Sequence, residues 1–229
     1  MSNARRWPPP DPPDRHAPSD PRQYAPAAAR NAGAIGEVLG CFLPASGTIL
    51  EIGSGTGQHV VAFAAAHPGL SWRPSDPDPA LRASIAAWVA DAGLANVGAP
   101  LDLDVMAENW ERAFDRPLAG IVCINLLHIA PWAACEGLMA GAGALLEPGA
   151  PLYLYGAFKR GGAHTAPSNA AFDRALRVYH PAWGVRDLEA VVDCAAAHGL
   201  ELVDAVPMPA NNLSVILRRQ PSASSASYG

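Results

Sequence analysis

Thr48-Ile49-Leu50-Glu51-Ile52-Gly53-Ser54-Gly55-Thr56-Gly57-Gln58-His59 is the stretch that decides the fold. Its first five residues read as a buried strand, its glycines as a sharp turn, and His59 onward as a helix. Glycines are needed in such a turn because the backbone must reverse sharply and let a ligand lie directly against it. A dinucleotide-binding loop has the spacing GxGxxG, which seats pyrophosphate on the helix N-terminus. Here the spacing is GxGxG, and Gln58 stands where the third dinucleotide glycine belongs. Glu51, two residues before Gly53, adds a carboxylate that suits an ammonium group and fits poorly beside pyrophosphate. S-adenosylmethionine carries an ammonium, a sulfonium and no phosphate, so it is the cofactor this loop predicts.

Outward from the loop, short β-rich runs alternate with Ala-rich amphipathic runs, the pattern of a mostly parallel sheet covered by helices. Helices are expected near residues 27–42, 59–67, 79–92, 131–146, 170–179 and 187–198. Strands are expected at 48–52, 70–74, 97–103, 120–125, 151–158, 200–206 and 212–217. Residues 159–167 read as a Gly-rich loop or lid. The last two strands are joined by a short turn and must be antiparallel, since a parallel crossover needs a dozen residues or more. The expectation is a doubly wound, Rossmann-like α/β sheet of seven strands with a reversed C-terminal strand.

Two further acids fall at strand ends. Asp76 comes nineteen positions after Gly57, where a doubly wound sheet offers a carboxylate to a ribose diol. The competing reading is a helix N-cap before Pro77 and Pro79. Asp104, in Leu101-Asp102-Leu103-Asp104-Val105, ends the third strand, where an adenine amino group needs an acceptor.

Composition narrows the partners. The 229 residues are half hydrophobic, ample for one continuous core, and the net charge of -5 argues against a duplex-binding surface. Cys41, Cys123, Cys135 and Cys194 are scattered without CxxC spacing and read as buried residues of a reducing compartment. No apolar run has membrane-spanning length and no signal-peptide h-region precedes the domain, so the cytoplasm is expected and neither DNA nor membrane is an expected partner. Residues 1–21, crowded with Pro, Asp and Arg, and residues 220–229 read as disordered tails around one domain at 22–219. The oligomeric state is not legible.

The loop EIGSGTG, the strand-end Asp76, LDLDV and the post-strand CINLLH resemble the class I S-adenosylmethionine-dependent methyltransferases. More narrowly, the chain is similar to the methyltransferase-like family DUF938, or UPF0585, through YAPAAARN, SGTGQH, WRPSDPD, CINLLHIAPW, YGAFK, SNAAFDRALR, PAWGVRDLE and MPANNLSVILRR. These segments cover residues 22–219. The resemblance implies a Rossmann-like sheet ending in a reversed strand and supplies no substrate.

Methyl transfer is an in-line displacement that needs a nucleophile held close in a water-poor pocket, with a base only if the acceptor must lose a proton. The candidate cofactor contacts are Arg30, Asn31, Glu51, Gly53, Ser54, Gly55, Thr56, Gly57, Asp76, Pro77, Asp104, Val105, Asn125 and Leu126. Arg30 is expected either to pair with the cofactor carboxylate or to be a surface arginine. The acceptor pocket is expected among Tyr24, His128, Tyr155, Phe158, Trp183, Arg186 and Asn211, where aromatics can equally be core. His128 is the catalytic candidate: a general base, a side chain closing the cofactor pocket, or a packed histidine. Asn125-Leu126-Leu127-His128 is not an NPPY tetrapeptide, which counts against an amino-purine methyltransferase of nucleic acid. The leading expectation is methylation of a small molecule. Protein or tRNA methylation, a nicotinamide-dependent oxidoreductase and a non-catalytic cofactor-binding protein remain as alternatives.

Overall fold

The computed structural model describes residues 20–221, so the expected tails lie almost wholly outside the described residues. Six strands form the main sheet in the order β2-β1-β3-β4-β9-β8. They are β1 (Gly47–Ile52), β2 (Leu70–Ser75), β3 (Gly120–Ile124), β4 (Pro151–Gly156), β8 (Leu200–Met208) and β9 (Asn212–Arg219). The first four are parallel, and β9 runs antiparallel to both β4 and β8. Chain order reverses at β1, which lies between β2 and β3. In sheets of this kind ligands bind beyond the carboxyl ends of the strands at such a reversal, here β1 and β3.

The expected strand at 97–103 is reduced to two parallel bridges along the outer edge of β2, Trp72 to Val97 and Ser75 to Leu101. Proline explains the break. Trp72 N–H donates to the Asn96 carbonyl and Gly98 N–H to the Trp72 carbonyl. A regular parallel ladder would next need donors at Pro74 and Pro100, and neither has an N–H. Pairing resumes one residue out of step, with Leu101 N–H on the Pro74 carbonyl at 2.9 Å and Asp76 N–H on the Leu101 carbonyl at 3.1 Å. The sheet thus has six laddered strands and a broken seventh.

The expected strand 151–158 divides into β4 and β5 (Phe158–Arg160), and the expected loop after it contains β6 (Ala163–His164). With β7 (Arg186–Asp187), these short strands make a second sheet in the order β6-β5-β7. Runs of two or three residues are too short for any periodicity to announce them.

Helices cover both faces. On one face α1 (Pro26–Phe42), α2 (Gln58–Ala66) and α3 (Pro79–Ala92) bury Ile35, Leu39, Val60, Phe63 and Ile85 around Trp72 and Tyr153. On the other, α4 (Trp132–Leu145) and α6 (Leu188–Ala196) bury Leu138, Met139 and Val191 against Ile121, Leu152 and Val215. α5 (Pro167–Tyr179) is the third helix of the C-terminal half. Burial on both faces accounts for the unbroken apolar character of β3 and β4. Cys123 and Cys135 are buried as expected, whereas Cys41 is exposed on α1. Among the described residues no helix is long and apolar enough to cross a membrane.

Candidate active site

The glycine loop joins β1 to α2 with Gly53, Gly55 and Gly57 all in the left-handed region, at φ of +65°, +57° and +93°. Their surroundings differ. A Cβ on Gly57 would stand 2.8 Å from the Ile85 Cα of α3, whereas one on Gly55 would meet nothing within 4 Å. Gly57 is therefore needed for packing, and Gly55 has open space on its Cβ side. Gly57→Ala is expected to destabilise the fold by about 1–3 kcal/mol through overpacking, read as a lower melting temperature. An unchanged melting temperature would contradict this contact.

Hydrogen bonds hold the loop to the next strand. Ser54 N–H donates to the Ser75 carbonyl at 2.8 Å, and the Ser75 hydroxyl donates to the Glu51 carbonyl at 2.8 Å. Asp76 Oδ2 accepts Gly55 N–H at 3.1 Å and its Oδ1 accepts Asp78 N–H at 3.0 Å. The N-cap of α3 is Asp78, which accepts from Ala80 N–H, so the cap reading of Asp76 is replaced by this tie to the loop. Arg82 donates to the Asp76 and Pro77 carbonyls and pairs with Asp102 at 3.0 Å. Asp104 Oδ1 accepts Met106 N–H at 2.9 Å, closing a turn around the buried Val105.

Glu51 is 1% exposed and its Oε2 has no hydrogen-bond partner. Burial pushes its carboxyl up to about 8; a Ser54 hydrogen bond opposes the shift and Asp76 adds to it. A buried carboxylate without a partner is costly. Its orphan oxygen is suited to a cationic donor.

Asn125 follows β3 at φ +59°, donating its N–H to the Tyr155 carbonyl, and Leu126 opens the following single turn. His128 closes that turn, 1% exposed and with both ring nitrogens unpartnered. Burial and the nearby Arg186 push its pKa down to about 3, against a smaller opposing pull from Asp173. Its ring meets Phe158 edge-on at 5.3 Å and Phe172 at 6.4 Å.

The remaining candidates fall into place unevenly. Asn31 Oδ1 meets His59 Nε2 at 2.8 Å, and burial raises the pKa of Tyr155 while Asn31 and Asn212 beside it oppose the rise. Arg30 is exposed. Tyr24 is half-exposed, and Trp183 is buried and stacked on Tyr179. Arg186 is a staple, donating to the Leu127, Ala130 and Ala182 carbonyls. Asn211 donates from its amide to Ser168 Oγ and accepts Asn169 Nδ2–H at its carbonyl. Sequence reasoning missed Asp173, where Lys159, His164 and Arg177 converge within 3.6 Å and Val185 N–H donates. Only its i,i+4 spacing to Arg177 hinted at this.

Strand order, reversed β9, glycine loop and strand-end acids together define a class I methyltransferase-like fold. Within that class the chain belongs to the family described as "Protein of unknown function (DUF938)", whose model matches residues 22–219. Solved structures share the fold. An O-methyltransferase family protein from Burkholderia thailandensis has a TM-score of 0.72 at 16% identity, over 86% of this chain and 58% of that one. An O-methyltransferase family 2 protein from Planctomyces limnophilus, in complex with apigenin, has 0.69 at 21%, over 84% and 58%. Human N-acetylserotonin methyltransferase, in complex with S-adenosylmethionine, has 0.65 at 12%, over 85% and 53%. The chain spans little more than half the length of these proteins.

Proposed function

We propose that the chain binds S-adenosylmethionine in the crevice above β1, β2 and β3 and transfers its methyl group to a small, uncharged acceptor. The observation that carries the reading is Glu51, a buried carboxylate with an unpartnered oxygen directly below the glycine loop. An ammonium donor satisfies it; a pyrophosphate brings it no donor. The open side of Gly55 gives the cofactor backbone contact, and Asp76, held against the loop, presents its carboxylate to the ribose. The side chain of Gln58, where a dinucleotide loop needs glycine, further separates this site from a nicotinamide one. Arg30, Asn31, Asp104 and Asn125 are further proposed cofactor contacts.

The cofactor's sulfonium supplies an activated methyl, so the protein's task is to position the acceptor and exclude water. The likeness to enzymes such as the one solved with apigenin supports a small-molecule acceptor. The spent cations beside the pocket support an uncharged one. Lys159 and Arg177 pair with Asp173, and Arg186 is committed to three carbonyls.

His128 stays neutral at physiological pH, with its pKa near 3. That is too far from 7 for an efficient general base. It contacts cofactor or acceptor and accepts a hydrogen bond. His128→Ala is expected to weaken binding while turnover at saturation stays within about fivefold, against the hundredfold or more that loss of a general base brings. A hundredfold loss with intact binding and melting temperature would assign the base role instead.

The reaction itself is tested with methyl-labelled S-adenosylmethionine and fractionated cell extract. Label is expected in the low-molecular-mass fraction. Label in protein or tRNA would overturn the acceptor class, and cofactor binding without transfer to any fraction would overturn catalysis.

A further inference from the structure

Gln58 does more than occupy a glycine position. Its side chain turns back from the start of α2, and Oε1 accepts the Thr56 hydroxyl at 3.0 Å and the Ala25 N–H at 2.6 Å. Two residues upstream, Gln23 N–H donates to Ser84 Oγ at 2.8 Å, and the Ser84 hydroxyl donates to the Thr56 carbonyl at 2.8 Å. Ser84 is fully buried. Thr56 is thus gripped at its side chain and at its carbonyl. Each grip continues into a backbone N–H of residues 20–25.

The rest of that segment is fastened to α3. Arg22 pairs with Asp20 at 2.7 Å and Asp91 at 2.5 Å and lies 5.3 Å over the Trp88 ring, while Trp88 Nε1–H donates to the Gln23 carbonyl at 2.9 Å. Tyr24, between the two tethered amides, is 50% exposed. A glutamine carbonyl oxygen has two lone pairs, and here both are used. Without it the Ala25 N–H at the start of α1 and the Thr56 hydroxyl lose their shared acceptor.

We infer that Gln58 is a positioning residue that docks residues 20–25 on the glycine loop, so that strap docking and cofactor binding reinforce each other. The inference rests on reading residues 53–57 as the cofactor loop. Ordering the loop beforehand lowers the cost of binding, and by linkage a cofactor that stabilises the loop stabilises the strap to the same degree.

The full-length protein tests this by tryptic cleavage of the Arg22–Gln23 bond, read by mass spectrometry alongside calorimetry with S-adenosylmethionine. Cleavage there requires Gln23 N–H to leave Ser84. Saturating S-adenosylmethionine is expected to slow that cleavage at least about tenfold, because native-state proteolysis follows local opening. Gln58→Met matches the volume but removes the acceptor. It is expected to lose roughly tenfold in affinity and most of the cofactor's protection of the bond. Gln58→Glu keeps an acceptor oxygen and is expected to recover both. A purely structural role would lower the melting temperature without altering cofactor-dependent protection.

Binding by the parent with cleavage unchanged overturns the coupling, as does a Met variant that keeps both affinity and protection. Should the Met variant fail to fold, the parent with and without cofactor still decides. No binding by the parent removes the cofactor reading itself, and this inference with it.

Discussion

Gly55→Val is expected to fold and to lose S-adenosylmethionine affinity by at least about a hundredfold, some 2.8 kcal/mol. The backbone at Gly55 is left-handed, at φ +57°, and an added Cβ would touch nothing in the protein within 4 Å. A left-handed non-glycine residue costs about 1–2 kcal/mol, which a domain stable by roughly 5–15 kcal/mol can absorb. The branched side chain then stands in the crevice where the cofactor must lie against backbone. Calorimetry together with a thermal melt checks both halves, and Gly57→Ala is the contrast, since its cost is in stability. A folded Gly55→Val protein with parental affinity would remove this loop as the cofactor site.

Glu51→Gln separates stability from binding at one position. The folded pKa of Glu51 lies near 8, above its ordinary value of 4.5. The stability its neutral form contributes is full below about pH 4.5 and lost as pH rises through 8. Glutamine has no charge to bury, so the melting temperature of the variant minus that of the parent should grow from about pH 4.5 to about pH 8 and level off above it. Binding responds in the opposite direction. An ammonium beside Glu51 favours the ionised form, so the parent should release about one proton on binding S-adenosylmethionine at neutral pH. Titrations in buffers of different ionisation enthalpy read that release. The variant should show none, with affinity lower by at least about tenfold, as expected for a lost charged hydrogen bond. Parental affinity in the variant would show that Glu51 faces no cation.

Most of the frame is legible in the sequence because it rests on strong local signals. The apolar run of β1, three glycines at fixed spacing and acids at the next strand ends mark the loop, Glu51 and Asp76 in the sequence. The opposition of Pro74 and Pro100 that breaks the seventh strand is not legible, since it depends on register between strands. Gln58 showed only as a missing glycine. Its partners are the Ala25 N–H, a few residues past the expected tail, and the Thr56 hydroxyl, and a backbone donor leaves no mark in a side-chain pattern. The Asp173 cluster depends on β5, β6 and β7 meeting α5, and those strands are too short to show a period. The sequence reads Arg186 as an acceptor-pocket residue and gives no sign that three carbonyls take its donors, because backbone acceptors carry no side-chain signature.

The most direct test of the central claim is calorimetric titration of the full-length protein with S-adenosylmethionine and, side by side, with NAD. Saturable binding of S-adenosylmethionine and none of NAD over the same concentration range is the predicted result. Binding of NAD without binding of S-adenosylmethionine would contradict the account, because Glu51 would then have no ammonium to take up its free oxygen.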